Sequence, residues 1–332
     1  MHTKLNFNMH SFKELQEVVQ KEIDGLEFAT PPEGLFEPMK YILGIGGKRL
    51  RPILVLLSAN LFKEDLSKVC LPAIGIEVFH NFTLLHDDVM DNAPIRRNKP
   101  TVHEHWNSNV AILSGDAMSI KAYQYIVSCE DRHLRDVLTV FNQTALEVCE
   151  GQQFDMEFEE RKDVKVEEYL EMIRLKTAVL LGGSLKMGAV MGDADSKDSD
   201  LLYHFGVNLG MAFQLQDDLL DVFGEEAVFG KKIGGDILSN KKTFLLIKAF
   251  ETATGETKEE LNSWIELENF NPEEKIEKVK AIYEKLNVRD FSQQRIDEYF
   301  SLCLEYLDKV NVPAEKKKEL YTLVKRLVNR SV

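Results

Sequence analysis

DRHLRDVLTVFNQTALEVCEGQQFDMEFEE, residues 131–160, carries apolar side chains at intervals of three and four. Leu134, Leu138, Phe141, Ala145 and Val148 fall on one stripe of a helix with 3.6 residues per turn. Outward from this stretch the pattern continues. All nine prolines lie at or before Pro100, or at Pro272 and Pro313, so the chain between Pro100 and Pro272 lacks that helix breaker. Towards the C-terminus four amphipathic segments follow: KEELNSWIELEN, PEEKIEKVKAIYEKLNV, FSQQRIDEYFSLCLEYLDKV and PAEKKKELYTLVKRLV. Pro272 and Pro313 suit the first turns of two of them. Strict apolar–polar alternation, the mark of half-buried strands, is hard to find. No Gly/Ser/Pro-rich linker and no solenoid-length repeat interrupts the chain. The expectation is an all-α fold of ten or more helices, a single domain over residues 1–332. An N-terminal arm or helix covers 1–30, the core motifs 41–248 and the C-terminal helices 257–330. Clusters of glycine and charge at 151–162 and 224–242 are expected as loops between long helices.

The chain has 332 residues, and 41 Lys+Arg against 55 Asp+Glu give a net charge of −14. With 44% apolar and 29% charged residues the composition is globular, not disordered. The acidic balance argues against nucleic-acid binding, which needs a basic face. No run of about 18 apolar residues is present to span a bilayer. The start, MHTKLNFNMHSFKELQEVV, lacks the apolar core and cleavage site of a secretory signal. Cys70, Cys129, Cys149 and Cys303 are far apart and form no CxxC pair, which removes zinc-site spacing and a disulfide framework. They read as buried thiols in a reducing compartment, the cytoplasm.

The chemistry is concentrated in IEVFHNFTLLHDDVMDNAPIRRNKPT, residues 76–101. Asp87, Asp88 and Asp91 close its helical portion, and at 100° per residue Asp87 and Asp91 stand about 40° apart. His80 and Thr83 share that stripe one to two turns earlier. Carboxylates at a helix C-terminus meet the negative end of the macrodipole, so a cation should offset them. The same spacing recurs in GMAFQLQDDLLDVFG, where Asp217, Asp218 and Asp221 end a second apolar helix and Gln214 lies one turn before. A single DDxxD is a weak pattern. Two of them, each ending an apolar helix, point to Mg²⁺, a hard ion that takes oxygen ligands and bridges to phosphate.

The cations are grouped as well. GGKRLRP supplies Lys48, Arg49 and Arg51 after Gly46 and Gly47. IRRNKPT supplies Arg96, Arg97 and Lys99. RLKTAVLLGG supplies Lys176 with Thr177, and Lys231, Lys232, Lys241 and Lys242 follow the second acidic helix. Guanidinium forks and compact ammonium charges are the usual phosphate ligands. Flanking both carboxylate clusters, they suit a diphosphate bound with Mg²⁺.

GGKRLRP, LLHDDVMD, IRRNKPT, LKTA, FQLQDDLLD and GKKIGGD…NKKT, in that order between Tyr41 and Lys248, resemble the trans-polyprenyl diphosphate synthases. The resemblance implies an isoprenoid-synthase-type bundle around a deep central cavity. It implies that isopentenyl diphosphate is held by Gly47, Lys48, Arg51, His80 and Arg97. The allylic diphosphate would sit between the two acidic helices on Mg²⁺, three ions per site, carried by Asp87, Asp91, Asp217, Asp218 and Asp221. Arg96, Lys176, Lys231 or Lys232, and Lys241 would touch it, while Asp88, Thr177 and Gln214 would complete the reacting end. Relatives of this kind form homodimers. Asn98 departs from the pattern, standing where many relatives have Gly, and Asn tolerates the left-handed turn needed there.

Departure of diphosphate from the allylic substrate requires neutralisation of the charge that develops, and attack by the isopentenyl double bond requires a dry pocket. The growing tail would run along the first acidic helix. Phe82 lies about 7.5 Å and Phe79 about 12 Å from Asp87 along it. A ring at either point would floor the tunnel. Phe82 beside the small Thr83 resembles short-chain synthases, favouring twenty carbons over fifteen. Other readings are a terpene cyclase, a head-to-head condensing enzyme, a longer-chain synthase and a non-catalytic partner subunit. A cyclase would carry an Asn/Ser/Glu metal motif in place of Asp217–Asp221, and a partner subunit could lose an acidic cluster.

Overall fold

The computed structural model describes residues 10–28, 31–224 and 233–328. Helices dominate these residues. The extended pieces are β1 (Ile95–Arg96) and β2 (Lys99–Pro100), an antiparallel pair with Ile95 opposite Pro100. The all-α expectation holds. The chain forms two compact units, each assembled from separate stretches: Met1–Asn142, Gly183–Leu202 and Asn311–Glu319 in the first, and Gln143–Gly182, Tyr203–Val310 and Leu320–Val332 in the second.

The first unit opens with α1 (Phe12–Asp24), so the N-terminal stretch is helical where it is described. Ser11 and Glu14 form a reciprocal capping box at its start, and Leu15, Val19 and Ile23 bury one face. Each aliphatic so buried contributes roughly 1.5–3 kcal/mol. α2 (Glu33–Gly44), α3 (Leu50–Asn60) and α4 (Cys70–Met90) follow, then the β hairpin, α5 (Val102–His105) and α6 (Ser108–Ile126). α3 is buried from Pro52 to Asn60 and α4 from Pro72 to Phe79, and helices apolar on every side are interior. α4 lies against α6 at Gly75, where a Cβ would stand 2.7 Å from Ile126 Cγ1. This interior helix ends on Asp87, Asp88 and Asp91.

α7 (Asp131–Glu160) contributes Gln143–Glu160 to the second unit. α8 (Val166–Ile173) runs into a single π-helical turn, Arg174–Ala178, continued as α9 (Val179–Met191). α10 (Ser196–Phe223) enters this unit at Tyr203 and ends on the second acidic motif. α11 (Gly235–Leu238), α12 (Phe244–Thr252), α13 (Gly255–Glu266), α14 (Pro272–Lys285), α15 (Val288–Lys309) and α16 (Lys318–Val328) complete the set. Pro272 is the first residue of α14, as its chemistry predicts. Pro313 instead caps a 3₁₀ turn, Ala314–Lys317, ahead of α16.

Two expectations need correction. Residues 151–160 are not a loop but the last turns of α7. Gly151 sits inside that helix because a Cβ there would collide with the Lys176 backbone, so the missing side chain serves packing and not a turn. On α7, Phe141 and Val148 of the expected stripe are buried, together with Val137 and Thr144, while Leu134, Leu138 and Ala145 are half-buried at its margin.

Candidate active site

In the first unit the basic loop and the acidic end of α4 are built around glycines and left-handed residues. Gly46 and Gly47 have φ of 90° and 141°, a conformation that an L side chain resists. A Cβ on Gly47 would stand 2.8 Å from Arg97 Nη1, too close to be accommodated without a shift, and that Nη1 donates to the Gly46 carbonyl. Arg97 (φ 51°) and Asn98 (φ 62°) form the tip of the β hairpin, a turn with both central residues left-handed. Asn98 thus adopts the conformation for which it was expected to suffice in place of Gly. Lys48 is exposed. Arg49 behaves differently. Only 3% exposed, it points inward to Glu77 Oε1 at 2.8 Å and to the Leu43 carbonyl, so it belongs to the core and not to the anion-binding set.

Arg51 Nη1 donates to His80 Nε2 at 2.9 Å. An arginine has no acceptor, so His80 is the acceptor here and carries its proton on Nδ1. Burial, reinforced by Arg51 and Arg97, pushes the His80 pKa well below the ordinary histidine range and keeps the ring neutral. Burial also lowers Arg51 to about 10, still protonated at neutral pH. Asp88, 2% exposed, accepts from Arg96 Nε at 2.9 Å through both oxygens, and Arg96 Nη2 reaches Asp87 Oδ2 at 3.5 Å. Burial raises the Asp88 pKa against the opposing pull of Arg96. Asp87 is half-buried and Asp91 exposed.

The second unit repeats this division. Asp218, 4% exposed, accepts from Gln214 Nε2 at 3.0 Å and from the Tyr169 hydroxyl, whereas Asp217 and Asp221 are half-buried. Burial, with the neighbouring charge of Asp236, raises the Asp218 pKa. Burial and Asp218 together drive the Tyr169 pKa well above its ordinary value, so Tyr169 stays a donor. Thr177 Oγ1 donates to Gln214 Oε1 at 3.2 Å, which orients the amide towards Asp218. Lys176 and Thr177 ride on the π turn, and Lys176 Nζ contacts Asp155 Oδ2 at 2.6 Å. Single π turns inside helices are frequent at functional positions. Asp221 accepts the Asp236 amide on Oδ2 at 2.9 Å, and its carbonyl accepts the Gly234 amide at 2.6 Å. Lys231 and Lys232 lie outside the described residues. Lys241 is exposed, and its charge lowers the Asp218 pKa.

In each motif, then, the middle aspartate is buried and tied while the outer two reach the surface. Asp218, expected as a metal ligand, has both oxygens engaged by protein donors. Among the described residues no three His, Cys, Asp or Glu side chains gather as a ready-made metal site. The donors fit Mg²⁺ nonetheless: they are oxygens only, on consecutive turns, and Mg²⁺ takes one or two carboxylates and keeps water or phosphate in its remaining positions.

Tyr169 and Asp155 are the residues that sequence reasoning missed. Asp155 was hidden in a stretch expected to be a loop, and the spacing QxxD on α7 was its only signal. Tyr169 had none, because its partner is 49 positions away. Along α4, Phe79 is buried with its ring centroid 5.5 Å from Phe82 and 5.1 Å from Phe141. Phe82 is half-buried and meets His86 edge-on at 4.8 Å. The Thr83 hydroxyl turns back to the His80 carbonyl at 2.8 Å.

The sequence model of the polyprenyl synthetase family matches residues 32–286. The geranylgeranyl pyrophosphate synthase of Geoglobus acetivorans is 38% identical over 307 residues, 90% of this chain and 92% of that protein. The geranylgeranyl diphosphate synthase of Methanosarcina mazei is 41% identical over 235 residues, 70% and 72% of the two chains. A crystal structure of a geranylgeranyl pyrophosphate synthase superposes with a TM-score of 0.92 at 44% identity, covering 98% of this chain and all of that one. With its motifs in order, its helices in place and matches of this extent, the chain belongs to the polyprenyl synthetase family.

Proposed function

We propose that this protein condenses isopentenyl diphosphate with an allylic diphosphate, head to tail, to make geranylgeranyl diphosphate. The observation that carries the reading is the matched pair of aspartate motifs, each with a buried, tethered centre and outer carboxylates left at the surface. Asp87 and Asp91, and Asp217 and Asp221, would hold Mg²⁺. When bound, that metal offsets the charge that grows on the departing diphosphate. Asp88 and Asp218 act as anchors that fix the ends of α4 and α10.

The residues of the chain do the rest. Gly47, Lys48, Arg51, His80 and Arg97 take isopentenyl diphosphate. The neutral His80 accepts from Arg51 and so orients the guanidinium without adding charge. Arg96, Lys176 and Lys241 bind the allylic diphosphate, with Lys176 exchanging Asp155 for a phosphate oxygen. Thr177 and Gln214 line the reacting carbon. No side-chain nucleophile takes part, and the proton lost in the final step goes to the departing diphosphate. The product length rests on Phe82 as the floor beside Thr83, with Phe79 behind it, and agrees with the names of the relatives above.

The protein acts as a homodimer. Leu113 and Ile120, each 61% exposed, lie seven residues apart on one face of α6, and Val127 at its C-cap is 44% exposed. No helix among the described residues is long and apolar enough to cross a membrane, and all four cysteines are free, which supports a cytoplasmic setting. The test is incubation with isopentenyl diphosphate, Mg²⁺ and five-, ten- or fifteen-carbon allylic starters, then mass measurement of the dephosphorylated alcohols. A twenty-carbon alcohol is expected, lost under chelator and reduced about 10²–10³-fold in Asp87→Ala and Asp217→Ala. Product formation that survives chelation, or no product from any starter, would refute the reading. Longer alcohols would reassign the chain length.

A further inference from the structure

The Lys275 side chain is fully buried, at 0% exposure, in α14 and outside every motif named above. Its ammonium stands 4.1 Å from the centroid of the Phe270 ring and donates to Asn240 Oδ1 at 2.8 Å. Burying an ammonium is expensive unless specific partners replace its water, and an amide oxygen with an aromatic face is a minimal set of partners. A methionine would fill the same space more cheaply. Something other than packing therefore accounts for the charge.

What it holds is a turn. Asn240 is left-handed, with φ of 54°, and its Nδ2 donates to the Ile265 carbonyl at 3.0 Å. Asn240 lies directly before Lys241, whose amide donates to the Asp236 carbonyl at 3.0 Å. The Asp236 amide is bonded in turn to the carboxylate of Asp221. At the other end of the segment Gly234 has φ of 88°, and a Cβ there would stand 2.5 Å from Ile276 Cδ1. Two consecutive residues of α14, Lys275 and Ile276, therefore clamp both ends of Gly234–Asn240, while Asp221 binds the amides of Gly234 and Asp236.

We propose that Lys275 is a positioning residue for the allylic diphosphate: through Asn240 it sets the turn that presents Lys241 beside the second aspartate motif. The inference rests on the function proposed above. It extends that function to a helix that carries none of the motif residues.

The experiment compares wild type, Lys275→Met, Asn240→Gly and the double variant. Glycine keeps the left-handed turn and deletes the acceptor. Each protein is assayed with the two substrates varied separately, and hydrogen exchange is followed in peptides spanning 234–243. Loss of a hydrogen bond from a charged donor releases the turn, so each single variant is expected to raise the KM for the allylic substrate by about tenfold or more. The KM for isopentenyl diphosphate should stay within about twofold, since the ligands proposed for it belong to other elements, the loop before α3, α3, α4 and the β hairpin. Amides of 234–243 should exchange about tenfold faster. The double variant should be no worse than Asn240→Gly alone, which already loses both the Lys275 bond and the bond to the Ile265 carbonyl. Unchanged allylic KM, an equal rise for both substrates, or additive effects would overturn the proposal. If Lys275→Met does not fold, Asn240→Gly is read against Asn240→Asp, which keeps the acceptor for Lys275 and loses only the bond to Ile265; equal effects of the two would overturn the proposal. If wild type makes no prenyl product the proposed function fails, while the exchange data still report whether Lys275 holds the turn.

Discussion

Asp88 and Asp218 show how one residue type divides its labour within a five-residue motif. Both are middle aspartates, both are buried, and both are tied to fixed donors, Arg96 for one and Tyr169 with Gln214 for the other. A buried carboxylate that lost a donor would retain its desolvation cost, because charge removed from water must be compensated by specific partners. Tyr169→Phe removes one donor and preserves shape. The expected result is a loss of about 1–3 kcal/mol in urea unfolding at neutral pH, together with a fall in kcat that exceeds any change in the KM of isopentenyl diphosphate. Wild-type stability in this variant would show that Asp218 draws nothing from the phenol. Lys63, Glu130 and Arg132 provide a separate test, away from the site. Lys63 first, then Arg132, hold the Glu130 carboxyl down to about 2. A depressed pKa stabilises the fold above the unfolded value of roughly 4.5 and ceases to do so as pH falls towards 2. Glu130→Gln should therefore melt below wild type at pH 7, by roughly 1 kcal/mol or less. That gap should close between about pH 4.5 and pH 2. A gap constant across that window would refute the assignment.

At the scale of elements, α4 is the most informative. Its interior character from Pro72 to Phe79 leaves the chain no freedom about where Asp87 and Asp91 arrive, because rotation would expose a buried face. The same helix separates two aromatic residues that the sequence treats alike. Phe79 is packed between Phe82 and Phe141, whereas Phe82 is half-buried against His86. Phe79→Ala should cost about 3–5 kcal/mol of stability, as for a truncated core aromatic. Phe82→Ala should cost less and lengthen the product by at least one five-carbon unit, read by mass of the alcohols. An unchanged product from a folded Phe82→Ala protein would remove Phe82 as the floor. α7 teaches a complementary lesson: its glycine at 151 imitates a loop signal, but the close approach of the Lys176 backbone is what requires it.

For the molecule as a whole, the two units are each built from separate stretches of chain, so neither corresponds to a contiguous half of the sequence. Helix α6 carries Leu113 and Ile120 outward, with Val127 at its C-cap, an apolar face that a second copy of the chain would cover. The double variant Leu113→Asp, Ile120→Asp is expected to shift the mass in solution from dimer to monomer, measured by light scattering at micromolar concentration. A dimer that withstands both charges would place the interface elsewhere.

Periodicity and proline placement determined the all-α class, and six ordered motifs the family, because each is a local property of residue type and spacing. Asn98 is of that kind too: its tolerance of positive φ is intrinsic to the side chain. Tertiary structure alone decided which members of each cluster face inward. Arg49 is indistinguishable from Lys48 and Arg51 in the sequence, and its ion pair with Glu77, 28 positions away, marks it as a core residue. Tyr169 and Lys275 are likewise assigned by partners 49 and 35 positions distant. Desolvation is the physical reason, since a charged group's role depends on what replaces its water, and that is set by packing between remote segments.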